Sequence, residues 1–255
     1  MLPDDIDKFL DELGDEARSI ALKYFRTAFD VTTKSDETPV TVADRAIERR
    51  LREMIAARYP SHGIAGEEEG GTITDGVSWV IDPIDGTKSF VAGVPLFGTL
   101  VAVLEDRRPA YGMIDVPALR ERWIGNGSHT AFNGTPCSVG RCTQLRDARL
   151  CATDPKMFAG QAADAFATLS RTVRITRFGT DCYGYALLAS GHVDLVVEAD
   201  LKIHDVMALI PVIEGAGGIV TSWSGAPVDD GFEGDIIAAA TPALHGEALR
   251  VLATR

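Results

Sequence analysis

The sequence predicts a mixed α/β (α+β) fold, with an antiparallel sheet in the N-terminal half and a mixed sheet in the C-terminal half. Two observations carry this prediction: two amphipathic helices lead into a run of short strands, and strands then alternate with helices to the end of the chain. A length of 255 residues suits one large domain or two closely joined ones, at roughly 100–200 residues each.

Ile6, Phe9, Leu10, Leu13, Ala17, Ile20 and Tyr24 recur at steps of three and four, the pattern of an amphipathic opening helix. A second helix is predicted over 41–58, with Ala43, Ile47, Leu51, Met54 and Ile55 on one stripe, and Pro60 and Gly63 end it. Thr41 is its expected N-cap, with Asp44 three residues on in the capping-box position. Runs at 78–81, 98–104, 110–114 and 122–125 read as strands of a mostly antiparallel sheet with helices on one face. In the second half, helices are expected at 159–170, 183–190, 204–214 and 244–252, and strands at 173–178, 193–198, 219–223 and 235–240. Gly215-Ala216-Gly217-Gly218 supplies a strong helix stop. The stretch 134–149 is poor in periodicity and reads as the seam between halves 1–140 and 141–255, packed as one unit.

With 25 basic against 37 acidic side chains the net charge is −12, which argues against nucleic acid as a partner and suits a solvated surface or a cation site. Cys137, Cys142, Cys151 and Cys182 lack paired spacing and read as reduced, partly buried thiols. The acidic N-terminus does not resemble a signal peptide, and no apolar run reaches the ~18–20 residues of a membrane span, so a cytoplasmic protein is expected.

The most informative segment is Trp79-Val80-Ile81-Asp82-Pro83-Ile84-Asp85-Gly86-Thr87. A buried strand running into a turn can aim Asp82, Asp85 and the Ile84 carbonyl at one point, which suits a hard divalent cation. The same residues taken alone also fit an ordinary Asp-Pro turn. Glu67, in Glu67-Glu68-Glu69, sits in a Gly-bounded loop just upstream, and Asp205 falls at a helix start, where an Asp also favours the helix dipole.

Val40-Thr41-Val42-Ala43-Asp44, Gly66-Glu67-Glu68, Asp82-Pro83-Ile84-Asp85-Gly86-Thr87 and the segment from Glu198 to Gly218 together resemble the inositol monophosphatase family, in its order and spacing over nearly the whole chain. The resemblance implies a layered α-β-α-β-α sandwich, a Mg²⁺-dependent phosphatase and, usually, a homodimer. It implies that Glu67, Asp82 and the Ile84 carbonyl hold one Mg²⁺, that Asp82, Asp85 and Asp205 hold a second, and that Glu67 helps with a third. By the same resemblance Thr87 and Asp44 orient the attacking water, and the backbone N–H groups of Gly86 and Thr87 hold phosphate oxygens. Nothing in the sequence singles out a Cys nucleophile or a Ser/His pair.

Substrate choice is implied to lie with the Gly179-Thr180-Asp181 loop and Glu198. The stretch from Gly179 to Gly191, Pro95-Leu96-Phe97-Gly98-Thr99-Leu100 and Leu119-Arg120-Glu121-Arg122-Trp123-Ile124-Gly125 resemble the histidinol-phosphatase branch. An acid at Asp181 suits a cationic leaving group such as the ammonium and imidazole of L-histidinol phosphate, although it also fits an N-cap of the following helix. Two departures from the family pattern are His204 in place of the usual Trp before Asp205, and Ser89 in place of the usual Asn. Inositol 1-phosphate is the alternative ester. Nucleoside 3′(2′),5′-bisphosphates and fructose 1,6-bisphosphate fit less well, because no Lys or Arg cluster near the motifs supplies a second phosphate site. A non-catalytic metal- or phosphate-binding regulator is the alternative of another class.

Overall fold

The first helix forms over the predicted stripe. The computed structural model describes residues 5–27, 31–33, 39–232 and 234–253, without the side chains of 31–33 and 39–41. In it α1 (Ile6–Tyr24) buries Ile6, Phe9, Leu10, Leu13, Ala17 and Ala21 along one face, and α2 (Val42–Arg58) buries Ala43, Ile47, Leu51 and Ile55. The expected Thr41 cap lies on a side chain outside the described set. Before α2, β1 (Val31–Thr33) and β2 (Pro39–Thr41) form a small antiparallel pair.

An eight-stranded sheet follows from β3 (Gly63–Gly66), β4 (Gly70–Gly71), β5 (Val77–Asp85), β6 (Gly98–Glu105), β7 (Arg108–Val116), β8 (Glu121–Gly125), β9 (Thr130–Phe132) and β10 (Thr135–Pro136), in the order β10-β9-β8-β7-β6-β5-β3-β4. Its pairings are antiparallel except β3 with β5. A short helix, α3 (Thr87–Ala92), leaves the end of β5. The C-terminal half adds β11 (Arg149–Ala152), α4 (Gln161–Thr172), β12 (Ile175–Phe178), α5 (Asp181–Ala189), β13 (Leu195–Leu201), α6 (Ile203–Val206), α7 (Leu209–Gly215), β14 (Ile219–Thr221), β15 (Gly234–Ala239) and α8 (Pro242–Leu252). Its five strands run in the order β12-β11-β13-β15-β14, with parallel and antiparallel pairings mixed.

The alternation of strand side chains sorts the core into layers. Trp79, Ile81, Val101, Val103 and Met113 pack under α1 and α2. Val80, Leu100, Ala102 and Ile114, on the opposite face, meet α5 and α7 and, beyond them, Val196, Ile236 and Ala238 of the second sheet. Leu150, Leu195, Val197, Ile237 and Ala239 face outward onto α4 and α8. The result is the five-layered α-β-α-β-α sandwich, and helices cover both faces of the first sheet rather than one.

Three local expectations need correction. The helix expected over 204–214 is two, α6 and α7, because Pro211 has no N–H to close a helical bond onto Met207. β5 does not end before Asp82 but runs through Asp85. β11, flanked by a stretch without periodicity, is a strand that the pattern did not announce. Among the described residues, no helix is long and apolar enough to cross a membrane.

A buried ion network ties α1 to the sheet. Arg122 donates to Asp115 (2.7 Å), Asp11 (2.9 Å) and Asp15 (2.8 Å), and Arg18 also donates to Asp115, whose side chain is fully buried. Gly14 makes room for it, since a Cβ there would stand 2.7 Å from the Arg122 guanidinium. A cavity of about 430 Å³ adjoins this network, but both arginines are already committed to carboxylates. Removing one partner of a buried ion pair costs about 3–5 kcal/mol because the other is left uncompensated. Arg122→Ala should therefore lower stability by about that amount in urea unfolding. A loss below about 1 kcal/mol would show that Arg18 alone satisfies Asp115.

Candidate active site

A bulge in β5 gathers the acids. Asp82 pairs with Leu100 and Asp85 with Gly98, so three steps along β5 match two along β6. In a regular strand, residues three apart point to opposite faces; one extra residue restores the phase and brings both carboxylates to the same side. Pro83, inside the bulge, has no N–H to leave unpaired, and its carbonyl accepts the buried Thr99 hydroxyl at 2.8 Å. Ile84 is anchored in the core at 1% exposure.

Asp205 approaches from the C-terminal half. It occupies the third position of α6, where its carboxylate accepts the Lys202 N–H at 2.7 Å and its own N–H donates to the Lys202 carbonyl at 3.1 Å. Asp82, Asp85 and Asp205 each offer an oxygen within 4.8 Å of the others. Glu67 is set back from this trio at the end of β3, its N–H bonded to the Ile81 carbonyl at 3.2 Å, yet its charge still acts on Asp82 and Asp205. Asp44 is buried on α2 and acts on Asp82 in the same way.

These acids resist ionisation. Burial pushes Asp82 well above the usual carboxylate range, and Glu67, Asp85, Asp205 and Asp44 push it further. Burial, then Asp181 and Asp205, does the same to Asp85, against the opposing hydrogen bond from the Cys182 N–H at 2.6 Å. Burial also raises Asp205, against the charge of His204, whose Nε2 lies 3.7 Å away. Among the described residues, no Lys or Arg forms a salt bridge with the trio, and Asp82 Oδ1 has no hydrogen-bond partner. An all-oxygen, carboxylate-rich set with an unsatisfied buried oxygen fits a hard divalent cation such as Mg²⁺ and does not suit soft metals.

Beside the trio, Gly86 adopts a left-handed φ of 78°, and a Cβ there would meet the Asp181 carboxyl at 3.0 Å, so both conformation and space require glycine. Thr87 opens α3, and its hydroxyl donates to the Ile84 carbonyl at 3.0 Å, which fixes the rotor. Asp181 is not the N-cap of α5. It is that helix's first residue, at a left-handed φ of 44°, and its carboxylate accepts the Ser89 hydroxyl at 2.9 Å. Ser89, the departure from the family's Asn, thus holds the Gly179-Thr180-Asp181 loop against α3.

Glu198 lies on β13 with Oε2 accepting the Tyr185 hydroxyl at 2.9 Å and Oε1 without a hydrogen-bond partner among the described residues. Burial pushes its carboxyl up to about 7, opposed by the nearby Thr153 and by the Tyr185 hydrogen bond. Asp85, Asp181, Glu198 and Asp205 line a cavity of about 70 Å³ together with Thr153 and Tyr185. Thr153, Tyr185 and Glu48 (a buried acid on α2) are site residues that the sequence did not single out. The unassigned histidines have structural work where contacts are visible: His62 accepts the Trp79 indole N–H, and His245 bonds Thr221.

The profile of the inositol monophosphatase family matches residues 2–254. The chloroplastic bifunctional phosphatase IMPL2 of Arabidopsis thaliana is 48% identical over 217 residues, which cover 84% of this chain but 63% of that protein, less than two thirds of its length. A histidinol-phosphatase of Mycobacterium tuberculosis is 38% identical, with 86% of each chain covered. Among solved structures, an inositol monophosphatase from Zymomonas mobilis superimposes with a TM-score of 0.89 at 38% identity, covering 99% of this chain and 100% of that one.

The Glu198 environment makes a prediction for the protein stripped of divalent cations. The folded carboxyl is raised from 4.5 to about 7, so the folded state holds a proton that the unfolded chain has lost. Its contribution is complete below pH 4.5 and is lost as pH rises towards about 7, a fall of about 3 kcal/mol. Glu198→Gln should flatten the wild-type decline between these pH values by about that amount in urea unfolding with chelator present. An unchanged slope would show that Glu198 is solvated.

Proposed function

The chain belongs to the inositol monophosphatase family, and from that premise we propose that it is a Mg²⁺-dependent hydrolase of phosphate monoesters whose substrate is L-histidinol phosphate. The observation that carries the substrate class is the acidic lining beside the trio. Glu198 is buried and Asp181 half-buried at the same cavity, and neither accepts a hydrogen bond from a Lys or Arg among the described residues, although the charge of Lys88 acts on Asp181. Two such acids favour a leaving group that brings its own positive charge and penalise a neutral polyol, which would leave them uncompensated. The histidinol-phosphatase relative supports the same choice.

Asp82, Asp85 and Asp205, with Glu67 and the Ile84 carbonyl, would hold the Mg²⁺ ions. Bound Mg²⁺ neutralises developing charge on the phosphoryl oxygens and lowers the pKa of bound water. The protein's own part is positioning. Thr87, whose hydroxyl donates its hydrogen bond to the Ile84 carbonyl, has its oxygen lone pairs left to accept a hydrogen bond from the attacking water, and Asp44 is a second acceptor for that water. The N–H groups of Gly86 and Thr87 lie at a helix start, where the first donors have no intrahelical partner, and are suited to two phosphate oxygens. Asp181 and Glu198 bind the imidazole and ammonium, and a cation arriving beside Glu198 favours its ionised form.

Inositol 1-phosphate is the competing reading, favoured by the Zymomonas relative. A kcat/KM panel with Mg²⁺ separates the two, since specificity is the ratio of those values. Histidinol phosphate should exceed inositol 1-phosphate by at least about tenfold, and Asp181→Ala should erase most of that margin by lowering the cationic ester selectively. Equal losses for both esters would reduce Asp181 to a structural role. Asp205→Asn should leave the circular dichroism spectrum unchanged and abolish turnover of every ester, whereas wild-type rates would remove Asp205 from the metal site.

A further inference from the structure

Glu48 touches none of the groups expected to meet substrate, yet it is fully buried beside the loop that carries Glu67. Its Oε2 accepts the Glu68 N–H at 2.7 Å and its Oε1 the Glu69 N–H at 3.0 Å. Arg52, one helical turn on, donates to Glu48 Oε1 at 2.8 Å and to the Gly70 carbonyl on the far side of the loop. Gly66 completes the fit, because a Cβ there would stand 2.2 Å from Glu48 Oε1. Glu68, Glu69 and Gly70 are therefore held from α2, while the Glu67 N–H is tied to Ile81 on the other side.

We propose that Glu48, backed by Arg52, is a positioning residue that sets the Glu67 carboxylate at the cation site, an inference that rests on the reading of Glu67 as a metal ligand. Charge-assisted bonds to two consecutive N–H groups fix the loop's direction as well as its distance. Asp44, Glu48 and Arg52 stand four residues apart on one face of α2, so a single rigid helix presents an acid to Asp82 and clamps the loop of Glu67. Glutamine at position 48 would keep the shape but direct an amide donor at one of the two N–H groups, which loosens the loop without emptying the space.

The test is calorimetric titration of Mg²⁺ into the full chain without substrate, for the unaltered protein, Glu48→Gln, Glu67→Gln and the double variant, with circular dichroism to verify folding. Residues that orient metal ligands are worth about 10–100-fold in metal affinity, so Glu48→Gln should weaken binding by that factor. In the Glu67→Gln background the same change should cost almost nothing further, because the ligand it positions is gone. Wild-type affinity in Glu48→Gln, or losses that multiply in the double variant, would overturn the clamp and leave the hydrolase reading standing. Failure of the unaltered chain to bind Mg²⁺ would overturn both. Should Glu48→Gln not fold, Arg52→Met gives the same readout: a smaller weakening supports the clamp, and unchanged affinity overturns it.

Discussion

Asp82, Asp85 and Asp205 hold carboxylate oxygens within 4.8 Å of one another, Asp82 buried and the other two half-buried, where little water is left to screen them. Like charges so placed are unstable unless a proton or a cation compensates them. This repulsion is the constraint around which the rest of the molecule is arranged. A fold that merely tolerated the acids would let their loops swing outward; this one pins each by its backbone. β5 carries two acids across an eight-stranded sheet, the Lys202 N–H fixes the third, and α2 reaches the fourth through the loop of Glu67.

The two halves of the chain contribute unequally to this arrangement. The first sheet and α2 supply Asp44, Glu67, Asp82 and Asp85, whereas the second half brings Asp205, Asp181 and Glu198 to the opposite wall. The shared apolar core between Val80, Leu100 and Ile114 on one side and Val196 and Ile236 on the other keeps these walls together. Two bonds cross the site itself: Asp85 accepts from the Cys182 N–H, and Ser89 donates to Asp181. The acidic trio and the loop of Asp181 thus share a frame, and a change at α3 reaches both.

Much of this was legible in the sequence because the signals were local. The stripes of α1 and α2 and the alternation of the second half were periodic, and the DPIDGT segment is specific enough to announce two of the trio, Asp82 and Asp85. What was not legible depends on contacts distant in the chain. The bulge at Asp82–Asp85 appears only once β6 sets the register, so the segment read as a turn after a strand. Glu48 sits in the charged run Glu48-Arg49-Arg50, which reads as a solvated helix face until β3 is laid beside it. The break between α6 and α7 was signalled by Pro211, but the apolar pattern across 206–213 masked it. Asp181 fitted an N-cap equally well, and its place as the first residue of α5 with its carboxylate on Ser89 decides against it.

Asp82 is where the central claim is most exposed, since it is the most crowded of the acids and has an unsatisfied buried oxygen. The most direct measurement is the thermal midpoint of the unaltered chain and of Asp82→Asn at pH 8, each with chelator and with saturating Mg²⁺. If electrostatic crowding is a cost that the cation offsets, the Asn variant melts higher than the unaltered protein in chelator and lower in Mg²⁺. A variant that melts lower under both conditions, with no response of the unaltered protein to Mg²⁺, would contradict the account.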